Sequence, residues 1–400
     1  MRDVVVVSAV RTPIGTIGGT LKDILPEKML AVAFEAAIER AGIQKSDVDE
    51  VIAGQAKQTT DCPNVARVSE LMIEMPVEIP AYTVHRQCAS SMQAILNAAQ
   101  QIQCDYSDVV LIGGVESMST APFYIRGARF GVGNGNTPFI DPNTESQPKS
   151  QPESIYGTFN MINTADNVAE KYHVTRQECD EFAFRSQKKA VAAIDEGKFK
   201  DEIVPIDIPQ RKADPIHFDT DEYPKRNVNL EKMGKLRTIF PDGVTTAANA
   251  SGRNDGAVAM VLMSADKAKE LGCRPIARFI AASAAGVDPR YMGISPVEAI
   301  KKVMKVTEQK EGITLKDIEL IEINEAFAAQ SVAVVKELGL NEEIVNVNGG
   351  AIALGHPLGC SGARICTTLI HEMRRSHKRY GLATLCVAGG LGMATVFEAL

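Results

Sequence analysis

Short runs of apolar residues alternate along the chain with longer segments in which apolar residues recur every three or four positions. The runs Val4–Val7, Leu320–Ile323 and Leu382–Cys386 have the length and composition of buried strands. The longer segments predict amphipathic helices, one of which begins at Pro26, a favoured first helical residue, and ends at Gly42. Strands that alternate with helices predict an α/β fold with mostly parallel sheets and right-handed crossovers.

The pattern of the first 120 residues returns near the C-terminus, where AGIQKSDVDEVI is echoed by EGITLKDIELIE. Three landmarks recur at a constant offset: Pro26, Gly42 and Asp47 as Pro296, Gly312 and Asp317. In each half a later strand, Ala81–Val84 or Ile344–Val347, leads into a further helix. The repeat predicts two related βαβαβ-type halves.

The residues between the two halves have a different composition, rich in Gly, Pro, Asn and charge. They contain two helical stretches, near Asn163–Tyr172 and Thr175–Gly197. We therefore predict three units. Residues 1–120 with 244–272 form the first half, 121–243 form an inserted loop domain that covers the site, and 273–400 form the second half.

Composition narrows the class of protein. The net charge is −7 without basic runs, so neither nucleic acid nor an anionic membrane is expected as a partner. No stretch reaches 18 uninterrupted apolar residues, and the N-terminus reads as a first strand rather than a signal peptide. The eight cysteines form no CxxC pair, which indicates free thiols in a reducing cytoplasm.

Two segments carry candidate reactive side chains. His356 lies in the glycine-rich stretch NVNGGAIALGHPLGCSGAR, between the predicted strand Ile344–Val347 and a helix that begins near Cys360. Cys88 is predicted in the first turn of the helix Ala89–Ile102, where the helix dipole and free N–H groups favour a thiolate. Each also has a purely structural interpretation, as an incidental histidine in a tight turn and as a buried cysteine.

Two further positions follow strands. Asn324 closes the strand Leu320–Ile323 and could be a simple helix N-cap. Cys386 enters the turn VAGGLG, which offers backbone N–H groups to an oxyanion, although a thiol there could be only a small apolar filler. Two thiols and a histidine at strand ends suit acyl transfer through a thioester. The cysteine and histidine spacings match no metal-ligand pattern.

The chain resembles the thiolase family from end to end. The resemblance rests on RTPIG at 11–15, the Cys88 segment, GGVESMS at 113–119, NASGRNDGA at 249–257, NEAFA at 324–328, the His356 segment and CVAGGLG at 386–392. It implies a layered α/β/α/β/α thiolase fold. It also implies thiolysis of a 3-ketoacyl-CoA, or in reverse the condensation of two acetyl-CoA molecules, with coenzyme A as a substrate and no metal or other cofactor.

The resemblance also implies roles for individual residues. Cys88 would be acylated, His356 would take its proton, and Cys386 would move the proton at the α-carbon of the second substrate. Asn324, through a water, would join His356 in one oxyanion hole, and the N–H groups of Cys88 and Ala388 would form the other. The implied substrate-binding residues are Ser251, Ala247, Met161, Met292, Lys225, Ala326 and Phe327. The family further implies a homodimer or homotetramer in the cytoplasm.

The chain departs from the family pattern at several positions: His85, Ser91, Asn160, Ile162, Ala388, Lys225 or Arg226, and the shortened loop at Arg129. These changes bear on acyl-chain preference and on tetramer geometry. Two alternatives therefore stay open. A condensing enzyme of fatty-acid or polyketide synthesis would need a second histidine in place of Cys386, and a catalytically silent protein would only bind acyl-CoA or hold partner enzymes.

Overall fold

The computed structural model describes residues 2–400, and most of its strands belong to one ten-stranded sheet. The strands are β1 (Val4–Arg11), β2 (Gly15–Thr16), β3 (Glu50–Gly54), β4 (Ala81–Val84), β5 (Val109–Ser117), β6 (Ile206–Ile208), β7 (Ile216–Phe218), β8 (Asn254–Ser264), β9 (Ala277–Gly286), β10 (Leu320–Ile323), β11 (Tyr380–Val387) and β12 (Leu391–Ala399). The helices are α1 (Pro26–Ala41), α2 (Val65–Met72), α3 (Ser90–Gln103), α4 (Pro142–Glu145), α5 (Glu153–Tyr156), α6 (Met161–Lys171), α7 (Arg176–Asp195), α8 (Leu230–Gly234), α9 (Ala265–Glu270), α10 (Ser295–Glu311), α11 (Ala328–Leu338), α12 (Ala351–Leu354) and α13 (Leu358–Arg375).

The large sheet is mixed, so the prediction of mostly parallel strands is wrong. Its order is β10-β11-β12-β9-β1-β8-β5-β3-β4, with β2 beside β8. Among the described residues the parallel pairs are β3–β4, β3–β5 and β10–β11, and the other pairs of this sheet are antiparallel. β11 turns directly back into β12, and β8 returns to β1 from far along the chain. Parallel neighbours need a crossover connection between them. Strands joined by a tight turn, as β11 and β12 are, run antiparallel.

The core has the layers of the implied fold. α3 and α13 share one apolar cluster with strands of both halves, to which Met92 and Ile370 contribute. α1 and α2 cover the outer face of the first half, and α10 and α11 cover that of the second. The two halves meet where β1 pairs with β9. The resulting order is α/β/α/β/α, with α3 and α13 in the central layer.

The internal repeat is confirmed by matching local structure. α1 ends at Gly42 and α10 at Gly312, and both glycines have a φ of 70°, the left-handed conformation that glycine adopts without strain. Each helix is followed by a short 3₁₀ turn, at Lys45–Asp47 and Leu315–Asp317. β3 and β10 come next in the two halves.

The predicted strand Ile344–Val347 is wrong. A 3₁₀ turn occupies Glu342–Ile344, and only an isolated bridge joins Val345 to Ile321. The reason lies in Asn346, which has a φ of 45°. Its side chain accepts from the N–H of Ile323 at 2.8 Å and donates to the carbonyl of Ile323 at 2.9 Å. These side-chain bonds occupy the edge of β10 that a strand would otherwise pair with.

The inserted residues pack against the second half. Val168 of α6 and Ala183 of α7 belong to the same apolar cluster as Val332 of α11. The division into 1–120 with 244–272, 121–243 and 273–400 stays a prediction. Within residues 2–400, none of the helices combines the length and apolar character that a membrane crossing requires.

Candidate active site

A cavity of about 470 Å³ opens between the two halves and the inserted residues. All the predicted site residues except Asn324 and Lys225 line it: Cys88, His356, Cys386, Ala388, Ser251, Ala247, Met161, Met292, Ala326 and Phe327. Residues separated by up to 300 positions in the chain therefore line one cavity.

Cys88 lies in a tight turn before α3 rather than in the first turn of that helix, which begins at Ser90. The hydroxyl of Ser90 accepts from the N–H of Arg86 at 2.9 Å and donates to the carbonyl of Gln87 at 2.7 Å. Gln87 has a φ of 45°, a strained angle for a side chain of that size. The turn thus presents the Cys88 thiol to the cavity ahead of the helix.

The Cys88 thiol keeps its proton at rest, although the backbone dipoles around it favour the thiolate as expected from the sequence. Burial raises the pKa of Cys88 to about 11. A hydrogen bond from the backbone of Ala388 and the nearby Lys57 ammonium lower this pKa, but by less than burial raises it. Because Cys88 is buried, the loss of hydration outweighs the favourable dipoles at the helix terminus.

Hydrogen bonds around His356 select one ring tautomer. Its Nδ1 lies 2.6 Å from Oγ of Ser361, and the Ser361 hydroxyl donates its proton to the carbonyl of Pro357 at 2.9 Å. The Ser361 oxygen therefore accepts from Nδ1–H. Nε2 keeps its free electron pair and can accept a proton.

His356 is also held in its neutral form. Burial, and next the positive charge of Arg364, lower the pKa of His356 to about 3. A neutral imidazole beside a neutral thiol is the resting state that a general base requires. The amide nitrogen of Asn324 lies 3.4 Å from both ring nitrogens of His356.

Asn324 is not an N-cap, so that alternative is wrong. α11 begins at Ala328, and its N-cap position is occupied by Phe327. The N–H of Asn324 donates to the carbonyl of Thr384 at 2.9 Å, which extends the pairing of β10 with β11. Its fully buried side chain is directed at His356 behind the cavity wall.

Cys386 is the next-to-last residue of β11, just before a sharp turn into β12. Burial raises the pKa of Cys386, and the proximity of Cys88 raises it further. Gly390 has a φ of 75°, and a β-carbon there would lie 2.4 Å from the carbonyl oxygen of Val287. Only glycine fits at this position, and the turn directs the Ala388 N–H towards Cys88.

One side of the cavity is apolar. Met292, Ala326, Phe327 and Cys386 form a small buried cluster against which Met161 packs. The N–H of Ser251 donates to the carbonyl of Ala326 at 3.0 Å, which joins the loop before β8 to this wall. The wall offers an apolar surface beside both thiols.

Lys225 does not line the cavity. Its N–H donates to Oε1 of Gln187 at 2.8 Å, and its ammonium lies 4.8 Å from the ring centre of Tyr223. Tyr223 itself lines the cavity, so Lys225 stands behind that ring. Its place in a substrate site stays a prediction.

Two family departures are accommodated without distortion. The hydroxyl of Ser91 donates to the carbonyl of Cys360 at 3.0 Å and accepts from the N–H of Ala363 at 2.9 Å, so it bridges α3 and α13. Asn160 caps α6 by accepting from the N–H of Ile162 at 2.9 Å. Asn160 and Ile162 both line the cavity.

Glu116 is a site residue that the sequence reasoning missed. It is fully buried and accepts from the N–H groups of Ala56, Lys57 and Gly359 at 2.9–3.0 Å. Burial raises the pKa of Glu116 to about 7. Its carboxyl group joins the ends of β3 and β5 to the turn that carries His356. A charged residue inside the otherwise apolar run VVLIGGVES was the signal available.

A second missed feature lies behind His356. Arg364 and Glu322 are almost wholly buried, and Nη1 of the guanidinium lies 4.0 Å from Oε2 of the carboxyl group. None of the three guanidinium nitrogens has a hydrogen-bond partner among residues 2–400.

Within the same residues, no group of three His, Cys, Asp or Glu side chains is placed to hold a metal ion.

Comparison with known proteins identifies the family of both halves of the chain. Residues 4–266 match the family described as thiolase, N-terminal domain, and residues 273–399 match thiolase, C-terminal domain. The chain is 46% identical over 398 residues to an acetyl-CoA acetyltransferase of Pseudomonas aeruginosa, with 98% of each chain covered. It is similar to the crystal structure of the Bacillus anthracis acetyl-CoA acetyltransferase, with a TM-score of 0.96, 46% identity and coverage of 100% of this chain and 99% of that one. It also matches human mitochondrial 3-ketoacyl-CoA thiolase in complex with CoA, with a TM-score of 0.93, 40% identity and coverage of 100% and 98%. Both halves of the chain thus match one family, and the chain belongs to the thiolases.

Proposed function

We propose that this protein is an acetyl-CoA C-acetyltransferase that works through an acyl thioester on Cys88. Membership of the thiolase family makes it an acyltransferase. The observation that carries the residue assignment is the meeting of Cys88, His356 and Cys386 in one cavity, with a neutral imidazole and two protonated thiols. The reaction is thiolysis of a 3-ketoacyl-CoA, or condensation of two acetyl-CoA molecules in reverse.

In the first half-reaction, the sulfur of Cys88 attacks the thioester carbonyl of an acyl-CoA. Its proton passes to Nε2 of His356, which the Ser361 contact leaves free. The N–H groups of Cys88 and Ala388 stabilise the oxyanion. The carbon–sulfur bond to CoA then breaks, the CoA thiolate takes a proton, and the acyl group stays on Cys88.

In the second half-reaction, Cys386 acts as a thiolate after giving its proton to the departing CoA. Because burial raises the pKa of Cys386, the thiolate is a strong base and removes the α-proton of a second acetyl-CoA. The enolate attacks the carbonyl of the Cys88 thioester, the carbon–sulfur bond to Cys88 breaks, and His356 returns its proton to the Cys88 sulfur. Asn324 and His356 stabilise the enolate oxygen, with a water between Asn324 and that oxygen.

Coenzyme A is proposed as a substrate, and no resident cofactor takes part in these steps. The human mitochondrial 3-ketoacyl-CoA thiolase binds CoA in its crystal structure. By analogy, Ser251 and Ala247 contact the pantetheine arm, and Met161, Met292, Ala326 and Phe327 surround the acyl group. We assign Lys225 to the outer end of the CoA site, behind Tyr223.

The eight unpaired cysteines fit a cytoplasmic location, which cell fractionation would check.

Two serine variants separate the roles of the thiols. Cys88→Ser should accumulate no acyl-enzyme from radiolabelled acetyl-CoA, because a hydroxyl of far higher pKa replaces the nucleophile. Cys386→Ser should still acylate at Cys88, because CoA can leave as a thiolate without a proton from residue 386, and should then stall. A general acid–base group contributes about 10²–10⁴-fold, so condensation should fall by that factor. The measurements are trapped acyl-enzyme and overall turnover for each variant.

Normal turnover in Cys386→Ser would refute the two-thiol mechanism. Failure of the wild-type protein to acylate would refute the enzymatic function and leave a protein that only binds acyl-CoA. Comparing acetoacetyl-CoA with longer 3-ketoacyl-CoA esters in the same assay would establish the chain-length preference.

A further inference from the structure

Lys57 makes an unusually complete set of contacts beside the candidate site. It follows β3, and its side chain is buried. Its ammonium donates to the carbonyl of Pro142 at 2.7 Å, to Oε1 of Gln147 at 3.0 Å and to the hydroxyl of Ser146. An ammonium has three protons, and all three go to one stretch of chain, residues 141–150, which we call the clamp segment.

The clamp segment forms the wall of the cavity next to Cys88. Four of its members line that cavity: Asn143, Thr144, Gln147 and Pro148. Further contacts hold it there, because the side chain of Asn143 donates to the carbonyl of Met118 at 2.8 Å and that of Gln87 donates to Oγ of Ser150 at 2.9 Å. The segment therefore packs against the turn that carries Cys88 and lines the cavity into which the Cys88 thiol opens.

The backbone of Lys57 is held by the buried carboxyl group of Glu116. Its backbone N–H donates to Oε1 of Glu116 at 3.0 Å. The other oxygen of Glu116 accepts from Gly359, in the turn that carries His356. Lys57 thus links the clamp segment to Glu116 and, through Glu116, to the turn that carries His356.

The clamp contacts are not shared with a competing ion pair. Two carboxylates lie near the Lys57 ammonium, those of Glu116 and Asp141. Glu116 is occupied by three backbone N–H groups, and Asp141 accepts from the N–H of Asn143 at 2.8 Å. The Lys57 ammonium therefore donates its strong, charge-assisted hydrogen bonds to the clamp segment.

We propose that Lys57 is a positioning residue that keeps the clamp segment closed over Cys88 and so excludes bulk water from the acyl thioester. This proposal rests on the proposed function, since only an acylated Cys88 has a thioester to protect. In the unwanted reaction, water adds to the carbonyl and the carbon–sulfur bond breaks. A carboxylic acid leaves, and the second proton of the water returns to the Cys88 thiol. In the productive reaction, a CoA thiol or an enolate attacks the same carbonyl.

The test compares Lys57→Met with wild type. The protein is acylated with radiolabelled acetyl-CoA and freed of CoA, and loss of label from the protein is followed. Hydrolysis should be at least about tenfold faster in Lys57→Met, the effect of one lost hydrogen bond to a charged donor, while the acylation stoichiometry stays unchanged. Ser146→Ala, which removes one of the three acceptors, should show a smaller increase.

Lys149→Met is the matched control on the same segment. Among residues 2–400 the Lys149 ammonium contacts only the exposed Glu153, at 2.6 Å, so its loss should leave hydrolysis unchanged. Hydrogen exchange gives a second readout that needs no chemistry. Amides of residues 141–150 should exchange faster in Lys57→Met than in wild type or Lys149→Met, because the clamp opens more often.

The outcomes separate the two proposals. Faster exchange and faster hydrolysis in Lys57→Met support the clamp. Wild-type protein that never acylates would refute the proposed function, and unchanged exchange would independently refute the clamp. Unchanged hydrolysis in both Lys57→Met and Ser146→Ala, with normal acylation, would also overturn the proposal.

Discussion

At the scale of single residues, the protonation state of the Cys88–His356 pair determines how the thiol reacts. Both groups are neutral at pH 7, because burial raises the pKa of Cys88 to about 11 and lowers that of His356 to about 3. In a preformed thiolate–imidazolium pair, by contrast, the proton would already have moved. The two states predict different pH dependences for attack by the sulfur.

Alkylation of Cys88 by iodoacetamide should therefore change little between about pH 5 and pH 8. His356 is deprotonated above about pH 3 and Cys88 stays protonated below about pH 11, so neither group titrates in that window. Acetyl-CoA should protect the labelled site. In His356→Asn the base is absent, and labelling should be slower and rise about tenfold per pH unit with the thiolate fraction. A wild-type rate that rises through a pKa near neutrality would contradict this prediction.

Cys104 must be removed before that measurement. Its thiol is exposed, whereas Cys88 is buried, so iodoacetamide reaches Cys104 without assistance. Cys104→Ser is the suitable background because the residue lies at the end of α3, away from the cavity lining. Mass spectrometry then assigns the protected label to Cys88 or to another cysteine.

At the scale of elements, the central helices α3 and α13 bring the two halves of the site together through close backbone contact. Gly359, in the first turn of α13, makes one such close contact, with β5 and the residue after β3. A β-carbon there would lie 2.6 Å from the carbonyl oxygen of Val115 and 2.7 Å from Cα of Gln55. Real β-carbons do not approach backbone atoms so closely, so glycine is required by space rather than by its φ angle.

Gly359→Ala should lower the free energy of unfolding by about 1–3 kcal/mol through overpacking. It should also slow acylation, because the N–H of Gly359 holds Glu116 below the His356 turn. Gly42→Ala is the control: its β-carbon would meet open space, and only left-handed strain of about 1–2 kcal/mol is expected. Acylation should be normal in Gly42→Ala. Equal acylation in both variants would show that the packing of α13 does not matter to the site.

The buried pair of Arg364 and Glu322 joins α13 to β10. Burial raises the pKa of Glu322 to about 8, so the pair carries both charges only above that pH. At pH 9, removing one partner leaves a buried charge without compensation, and Arg364→Met and Glu322→Gln should each cost about 3–5 kcal/mol of unfolding free energy. The double variant should cost much less than the sum, because it removes both charges. Urea unfolding with unchanged m-values would measure this coupling. Additive losses would mean that the two groups are compensated by other partners.

At the scale of the whole molecule, β4 is an edge strand of the large sheet. β4 pairs only with β3 among the described residues, so its other edge presents backbone N–H and C=O groups. In the inserted residues, Phe123, Phe130, Val132 and Phe139 are all more than 60% exposed. Both features are typical of surfaces that a second copy covers.

We expect a dimer at micromolar concentration, with further association through the loop 123–139. Light scattering coupled to size-exclusion chromatography would measure the mass. Replacing Phe130 and Phe139 by serine should reduce any tetramer but leave the dimer, because those side chains lie on the loop and not on β4. A monomeric wild-type protein would contradict the expectation.

The sequence by itself determined the features that depend on neighbouring residues. Apolar spacing and the Pro26 and Gly42 signals located α1, and the same signals 270 residues later located α10. These features rest on local backbone preferences, which a short window of sequence contains. The motifs around Cys88, His356 and Cys386 identified the family for a similar reason, since each is a compact run of residues.

Tertiary structure alone decided the features that depend on distant residues. The antiparallel pairing of β1 with β8 and β9, the side-chain pairing of Asn346 with β10 and the protonated state of Cys88 were all predicted wrongly or not at all. Lys57 carried no signal, because its partners lie about 85–90 positions away in sequence. Strand register, burial and hydrogen-bond partners are set by the packing of the whole chain, and burial then determines whether a thiol or an imidazole holds its proton.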